Sequence, residues 1–330
     1  VNKLQFLKCL TTALVLLSSS FALQHAVAGS EENFPDKPVR MIVPIAAGGS
    51  ADKLTRILSE KLSIRWGQPV IVENVVGAGG TIGTARAAKS APDGYTILQQ
   101  GEGMTLNTIL YSNLSFDAPT AFAPVIKAVV SPQILVVNPQ TGLATFEQYL
   151  DRAKKRPDSI NLALPTNGGI AHIAHELIHQ QTGAQVNYIP YGGGGPATVA
   201  VIAGHTDATL ITLAAVTEYV RAGRLTALAV TTPTRAQALP DVPTMAEAGI
   251  PGFSVESWQG YFVPSGTPVA IVQKINHDIQ AVLDTPEVKA QLEDMGFNVE
   301  GGSSAALASS LSAEYPVYAL AVEQAGIVLR

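Results

Sequence analysis

A chain of 330 residues, 47% of them hydrophobic, is long enough for two domains with ordinary cores. Its net charge of −5 leaves no basic excess for nucleic acid, and its single cysteine excludes a disulfide framework. Only 6% of the residues are aromatic, so the core must come mostly from Val, Ile, Leu and Ala.

Lys3 and Lys8 precede an uncharged run from Cys9 to Leu23, and Ala26-Val27-Ala28 is a small-x-small cleavage site. Residues 1–28 therefore read as a secretory signal peptide cleaved after Ala28, with an apolar run too short for a membrane span. The chain beyond Ala28 has 302 residues, 19 Lys and Arg against 26 Asp and Glu, and no cysteine. Thiol nucleophiles and thiolate metal sites are thereby excluded. A disulfide-free exported chain of this size points to a bacterial periplasm.

Val39 to Val43 is a β-branched strand closed by Pro44. The small residues Ala46, Ala47, Gly48, Gly49 and Ser50 then lead into a helix with its apolar stripe at Leu54, Ile57, Leu58 and Leu62. Val70 to Val76 is the next strand, and Gly77, Ala78, Gly79, Gly80 and Thr81 open the helix Ile82 to Lys89. Neither loop contains Lys or Arg. Loops of this kind present bare backbone N–H groups and the positive ends of helix dipoles, which is an anion site without cations. Equally, such glycines serve to make tight turns; two loops in tandem weigh against that alone.

Tyr95 to Leu98 is a third strand, with a helix from near Thr105, completing a parallel half-sheet. Ile134 to Val137 is a buried strand, Phe146 to Lys155 a helix, and Asn161 to Leu164 a strand. The loop Pro165 to Gly169 precedes a helix from Ala171 to Gln181, and Val186 to Ile189 leads through Gly192-Gly193-Gly194-Gly195-Pro196 into another. The grammar of the first half thus recurs in the second. Strands at Asp207 to Ile211, Leu225 to Val230 and Trp258 to Val263 come next, and the tail is helical. The expectation is an α/β protein of two lobes with a cleft at the carboxyl edges of the strands.

Competing chemistries leave weaker traces. His175-Glu176-Leu177-Ile178-His179 is a literal HExxH, which on a helix can bind zinc and supply a general base. No third ligand appears at a familiar spacing: Thr182 stands where the extended motif needs glycine, and the next glutamate, Glu218, is far downstream. Gly77-Ala78-Gly79-Gly80-Thr81-Ile82 resembles a dinucleotide fingerprint but has Ile82 in place of the third glycine. There is no nucleophile elbow and no phosphate loop. Ser50 or Asp52 is expected to cap the first helix, and Asp52 to cap or tie loops rather than touch an anion, which it would repel. His172 either faces the cleft or braces the loop behind it.

The segments PDKPVRMIVPIAAGGSAD, VIVENVVGAGGTIG, APDGYTIL, NGGIAHIAHEL, YIPYGGGGPA and FVPSGTP resemble the Bug-type solute receptors of tripartite tricarboxylate transporters along nearly the whole exported chain. The resemblance implies a Venus-flytrap, type II-like periplasmic binding protein. It would be a monomer that needs no cofactor and no metal, is not an enzyme, and delivers a small carboxylate to membrane permease subunits. Lobe 1 is expected at 29–130 plus 253–330 and lobe 2 at 131–252. The implied ligand contacts are Ala46, Ala47, Gly48, Gly49 and Ser50; Gly77, Ala78, Gly79, Gly80 and Thr81; and, on lobe closure, Thr166, Asn167, Gly168 and His172. Leu210-Ile211 replaces a Phe-Asp pair common in the family, which argues against an amino-acid ligand. Gln99, Gln100, Glu102 and Met104 replace a Ser/Thr and His set, from which a more apolar wall and an alkyl or aromatic dicarboxylate such as terephthalate are expected. An exported zinc hydrolase using His175, Glu176 and His179 is the alternative, and a sensory receptor would use the same cleft.

Overall fold

A computed structural model describes residues 34–327. The expected signal peptide, 1–28, lies outside the described residues. The remainder forms two α/β lobes built on one repeated plan. In the first, β1 (Val39–Val43) lies between its parallel neighbours β2 (Val70–Asn74) and β3 (Thr96–Gly101), and β3 pairs antiparallel with β9 (Glu256–Pro264). In the second, β5 (Asn161–Leu164) lies between parallel β6 (Asn187–Pro190) and β7 (Ala208–Thr212), and β7 pairs antiparallel with β4 (Phe122–Val137). The orders β2-β1-β3-β9 and β6-β5-β7-β4 match strand for strand.

Helices α1 (Ser50–Trp66), α2 (Thr81–Ala88) and α3 (Gly103–Leu110) come after the strands of the first lobe. Helices α4 (Phe146–Lys155), α5 (Ile170–Thr182), α6 (Gly194–Ile202) and α7 (Thr217–Arg221) belong to the second, where β8 (Thr226–Val230) also pairs with β4. The chain then returns through β9 to α8 (Val269–Leu283), α9 (Pro286–Met295) and α10 (Ser304–Ala325). Because each strand runs into its helix through a short loop at the same sheet edge, the helix starts of both lobes gather there.

The 16-residue β4 is longer than the expected Ile134 to Val137. Pro124 and Pro132 lie within it, each at a place where a strand tolerates a missing donor. Pro124 sits at a register shift against β9, and Pro132 sits where β4 changes partners. Residues 122–132 pair with β9, whereas 133–137 pair with β7 and β8. One strand therefore belongs to both lobes.

Each lobe has its own core. Met41, Leu54, Leu58, Ile97 and Ile275 are buried together in the first, and Leu135, Tyr149, Leu162, Ile178 and Leu210 in the second. A further cluster joins Leu106 and Leu110 of α3 to Ile170 and Ile173 of α5 and Val322 of α10. The C-terminal helix starts on the first lobe, where Leu307 is buried, and ends against α5 of the second.

Candidate functional site

Five helices begin at one place without a side-chain cap. The N-cap residues Gly49 of α1, Gly80 of α2, Glu102 of α3, Gly169 of α5 and Gly193 of α6 all lack a side-chain hydrogen bond to the helix start. The first N–H groups of a helix have no partner within it, so they need one from elsewhere. These starts converge on a cavity of about 130 Å³ between the lobes, lined by Ser50 and Ala51, Gly79 and Gly80, Glu102 and Gly103, Gly169 to Ala171, and Gly194.

The side wall is built of amides. Gln99 and Gln100 come from β3, Gln133 from β4 and Gln259 from β9. Gln259 Nε2 donates to Ser50 Oγ at 2.9 Å, and Gln133 Nε2 donates to Thr212 Oγ1 at 3.0 Å. Both hydroxyls accept, which leaves their hydrogens free to point at a ligand. Among the described residues that line the cavity there is no Lys, Arg or His, and Glu102 is the one charged side chain. The expected apolar wall after β3 is thus an amide wall, and the larger apolar residues of the lining are Ile45, Ile170, Ile211 and Trp258.

The residues singled out from sequence fall into groups. Ser50, Gly79, Gly80 and Thr166 line the main cavity. Gly77, Ala78 and Asn167 line a neighbouring cavity of about 110 Å³ beside Val76 and Tyr191. Ala46, Ala47, Gly48 and Gly49 meet the opposite lobe instead: Ala46 N donates to Gly192 O at 2.9 Å, and a Cβ on Gly49 would lie 3.4 Å from Gly194 N. Thr81 turns its hydroxyl to Ala78 O at 2.9 Å and lines an outer groove with Ile82 and Phe116.

His172 Nδ1 accepts from Gly168 N at 3.2 Å, and its ring stands edge-on to Tyr188 at 4.8 Å. In that position it holds the 166–169 loop from outside the cavity. Burial lowers its pKa, against the pull of Glu176, so it stays neutral and keeps its acceptor. Gly194 lies in the glycine loop that the sequence shows before a helix, whereas Gln133 and Gln259, each inside a strand from a different stretch of chain, gave no local sign of the cavity.

Neither Ser50 nor Asp52 caps α1, whose N-cap is Gly49 without a side-chain hydrogen bond, but Asp52 does tie loops. Its carboxylate accepts from Gly48 N at 3.0 Å, Arg56 Nε at 3.0 Å and Asn74 Nδ2 at 3.0 Å, and the same Asn74 amide reaches Ile45 O at 3.1 Å. Burial raises its pKa, but these hydrogen bonds outweigh burial and hold it below the usual carboxylate range. Hydrogen bonds to a charged group are each worth about 1.5–3 kcal/mol. Asp52→Ala should therefore lower the melting temperature by several degrees and weaken ligand binding about tenfold, read from Trp258 fluorescence. Unchanged affinity in a folded variant would mean that the 46–50 loop keeps its shape without this anchor.

The HExxH residues do not form a metal centre. His175 is 0% exposed, and both ring nitrogens are taken: Tyr149 Oη lies 2.7 Å from Nε2 and Tyr188 Oη 2.9 Å from Nδ1. A neutral imidazole has one donor and one acceptor, so nothing is left for a metal. His179 Nδ1 faces Ala184 O at 2.9 Å. The helical spacing is real, but it turns His175 into the second-lobe core.

Comparison with known proteins fits this geometry. The family described as "Tripartite tricarboxylate transporter family receptor" matches residues 54–315. Protein BugT of Bordetella pertussis is 38% identical over 261 residues, covering 78% of this chain and 80% of its own. Among solved structures, Rpa4515 of R. palustris with adipate superposes with a TM-score of 0.87 at 30% identity, covering 89% of this chain and 99% of its own. The periplasmic binding protein BugD gives 0.86 at 32% identity, with 90% and 100% covered.

Proposed function

The chain belongs to the tripartite tricarboxylate transporter receptor family, and on that premise we propose that it captures a small di- or tricarboxylate and hands it to the membrane permease subunits of such a transporter. As a member it is a periplasmic solute-binding protein and not an enzyme. The observation that carries the ligand class is the convergence of five uncapped helix starts on a cavity without a cation. Helix starts that converge on one cavity stabilise an anion in the way a single helix start does, and backbone donors fit a planar carboxylate. Adipate in Rpa4515, a relative of the same fold, supports a dicarboxylate.

In this reading the loops 46–50 and 77–81 shape the first-lobe half of the site. Ser50, Gly79 and Gly80 contribute the contacts, and the loop 166–169, braced by His172, adds its amides when the lobes close. The lobes, 29–130 with 253–330 and 131–252, turn about the place where β4 changes partners and about the link into β9. Export with cleavage after Ala28 delivers a monomer to the periplasm. A thermal-shift screen over succinate, adipate, citrate, terephthalate and amino acids should give the largest rise with a non-amino dicarboxylate, because binding to the folded form alone stabilises it. No shift with any carboxylate would remove the reading.

A further inference from the structure

The cavity's one charged side chain has no cation to answer it. Glu102 Oε1 accepts from Ser257 Oγ at 3.0 Å, and its Oε2 accepts from Trp258 N at 3.3 Å. These donors from β9 fix the carboxyl where α3 begins, on the cavity wall. The titratable groups that face it come from α10: Glu314, whose Oε2 is buried without a partner, and Tyr318. Lys127 on β4 acts on Glu314 and Glu256. The second lobe brings Pro165, Thr166, Gly169, Ile170, Ala171, Gly194, Ile211 and Thr212 to the cavity, none of them titratable. Burial first, and then Glu314, push the Glu102 carboxyl up to about 7, against the hydrogen bonds that lower it. At neutral pH it is held near the point where a small change in surroundings decides its charge.

Resting on the reading of the cavity as a carboxylate site, we propose that Glu102 is a specificity-determining residue that recognises a ligand's second carboxylate by taking up a proton. One ligand carboxylate occupies the helix starts. The other meets Glu102, and since two ionised carboxylates cannot share a hydrogen bond, a proton from solvent moves onto Glu102 and its O–H donates to the ligand. A monocarboxylate of the same length makes no such demand. The dicarboxylate is therefore preferred in mildly acid surroundings and released as Glu102 ionises.

The test uses the exported chain and whichever of succinate, adipate or terephthalate gives the largest thermal shift, with hexanoate or benzoate as the monocarboxylate control. Calorimetric titration at about pH 6.5 and 8.5, in two buffers of different ionisation enthalpy, measures affinity and protons bound together. The dicarboxylate Kd should weaken at least tenfold between the two pH values, with uptake approaching one proton at pH 8.5. Glu102→Gln, whose amide donates at every pH, should change less than about twofold and take up no proton. Glu314→Gln should keep the uptake. A flat pH dependence in the native chain, uptake that survives in Glu102→Gln, or binding of monocarboxylates only would each overturn the proposal. Absence of binding by every carboxylate at both pH values would overturn the carboxylate reading itself.

Discussion

Gly195→Val should reduce carboxylate affinity by about 100-fold or more while leaving the ligand-free protein folded. Gly195 lies near the start of α6 in the second lobe, and a Cβ there would collide with the carbonyl oxygen of Ala47 in the first. Both atoms are backbone or fixed to backbone, so neither rotates away. The collision exists only while the lobes are together, because the two residues belong to opposite sides of the cleft. Opening relieves it. In the open form the ligand loses what the second lobe supplies, and two lost hydrogen bonds to an anion, at about 1.5–3 kcal/mol each, amount to roughly two or more powers of ten in Kd. Trp258 fluorescence reads the affinity, and small-angle scattering with excess ligand reads the compaction, which the variant should not show. Native affinity in the variant would mean that binding does not require the lobes to meet as they do here.

Acid should weaken the protein through His175. Burial is the largest influence on it, with repulsion from His172 and His179 added, and its pKa is pushed down to about 3 from the ordinary 6.5. Between those values the unfolded chain binds a proton that the folded one refuses. Stability is therefore complete above about pH 6.5 and is lost as the pH falls toward 3, by up to about 4–5 kcal/mol at 1.36 kcal/mol per unit. Glu102 works in the opposite sense: its carboxyl is raised to about 7, so the folded form gains stability as the pH falls from 7 toward 4.5. The two contributions overlap, and a substitution separates them. His175→Gln should lower the melting temperature at pH 7.5, since Tyr149 and Tyr188 lose a well-placed partner, yet it should flatten the decline between pH 6.5 and 4.5. Calorimetric scans of both proteins decide this, and parallel declines would acquit His175.

The same residue shows what a motif can and cannot say. The 3.6-residue period puts His175 and His179 one turn apart, as HExxH requires, but period alone does not say whether that face meets solvent, a metal or a core. Here Ala171, Ala174 and Ile178 share the buried face, and Tyr149 from α4 arrives to close it. For His172 the sequence left two positions open, and the bond from Gly168 N to its Nδ1 puts it behind the loop. In β4, the first two thirds of the strand carry two prolines, which a ladder tolerates only where pairing shifts or changes partner, and that partner is more than 100 residues away.

The repeated strand, loop and helix plan, the small uncharged residues at the helix starts, and the family are legible in the chain alone. These are local properties: β-branched runs, glycines before apolar stripes, and the absence of Lys and Arg from the loops need no distant partner to be read. Which helix starts face one cavity depends on how distant segments pack, and that packing brings five together rather than three. It also decided that Ala46 to Gly49 meet the opposite lobe, that glutamines from β3, β4 and β9 form one wall, and that a lone carboxyl stands among them. Those facts depend on strands that pair across more than 100 residues of chain, and no local pattern encodes which side chains such pairing will bring together.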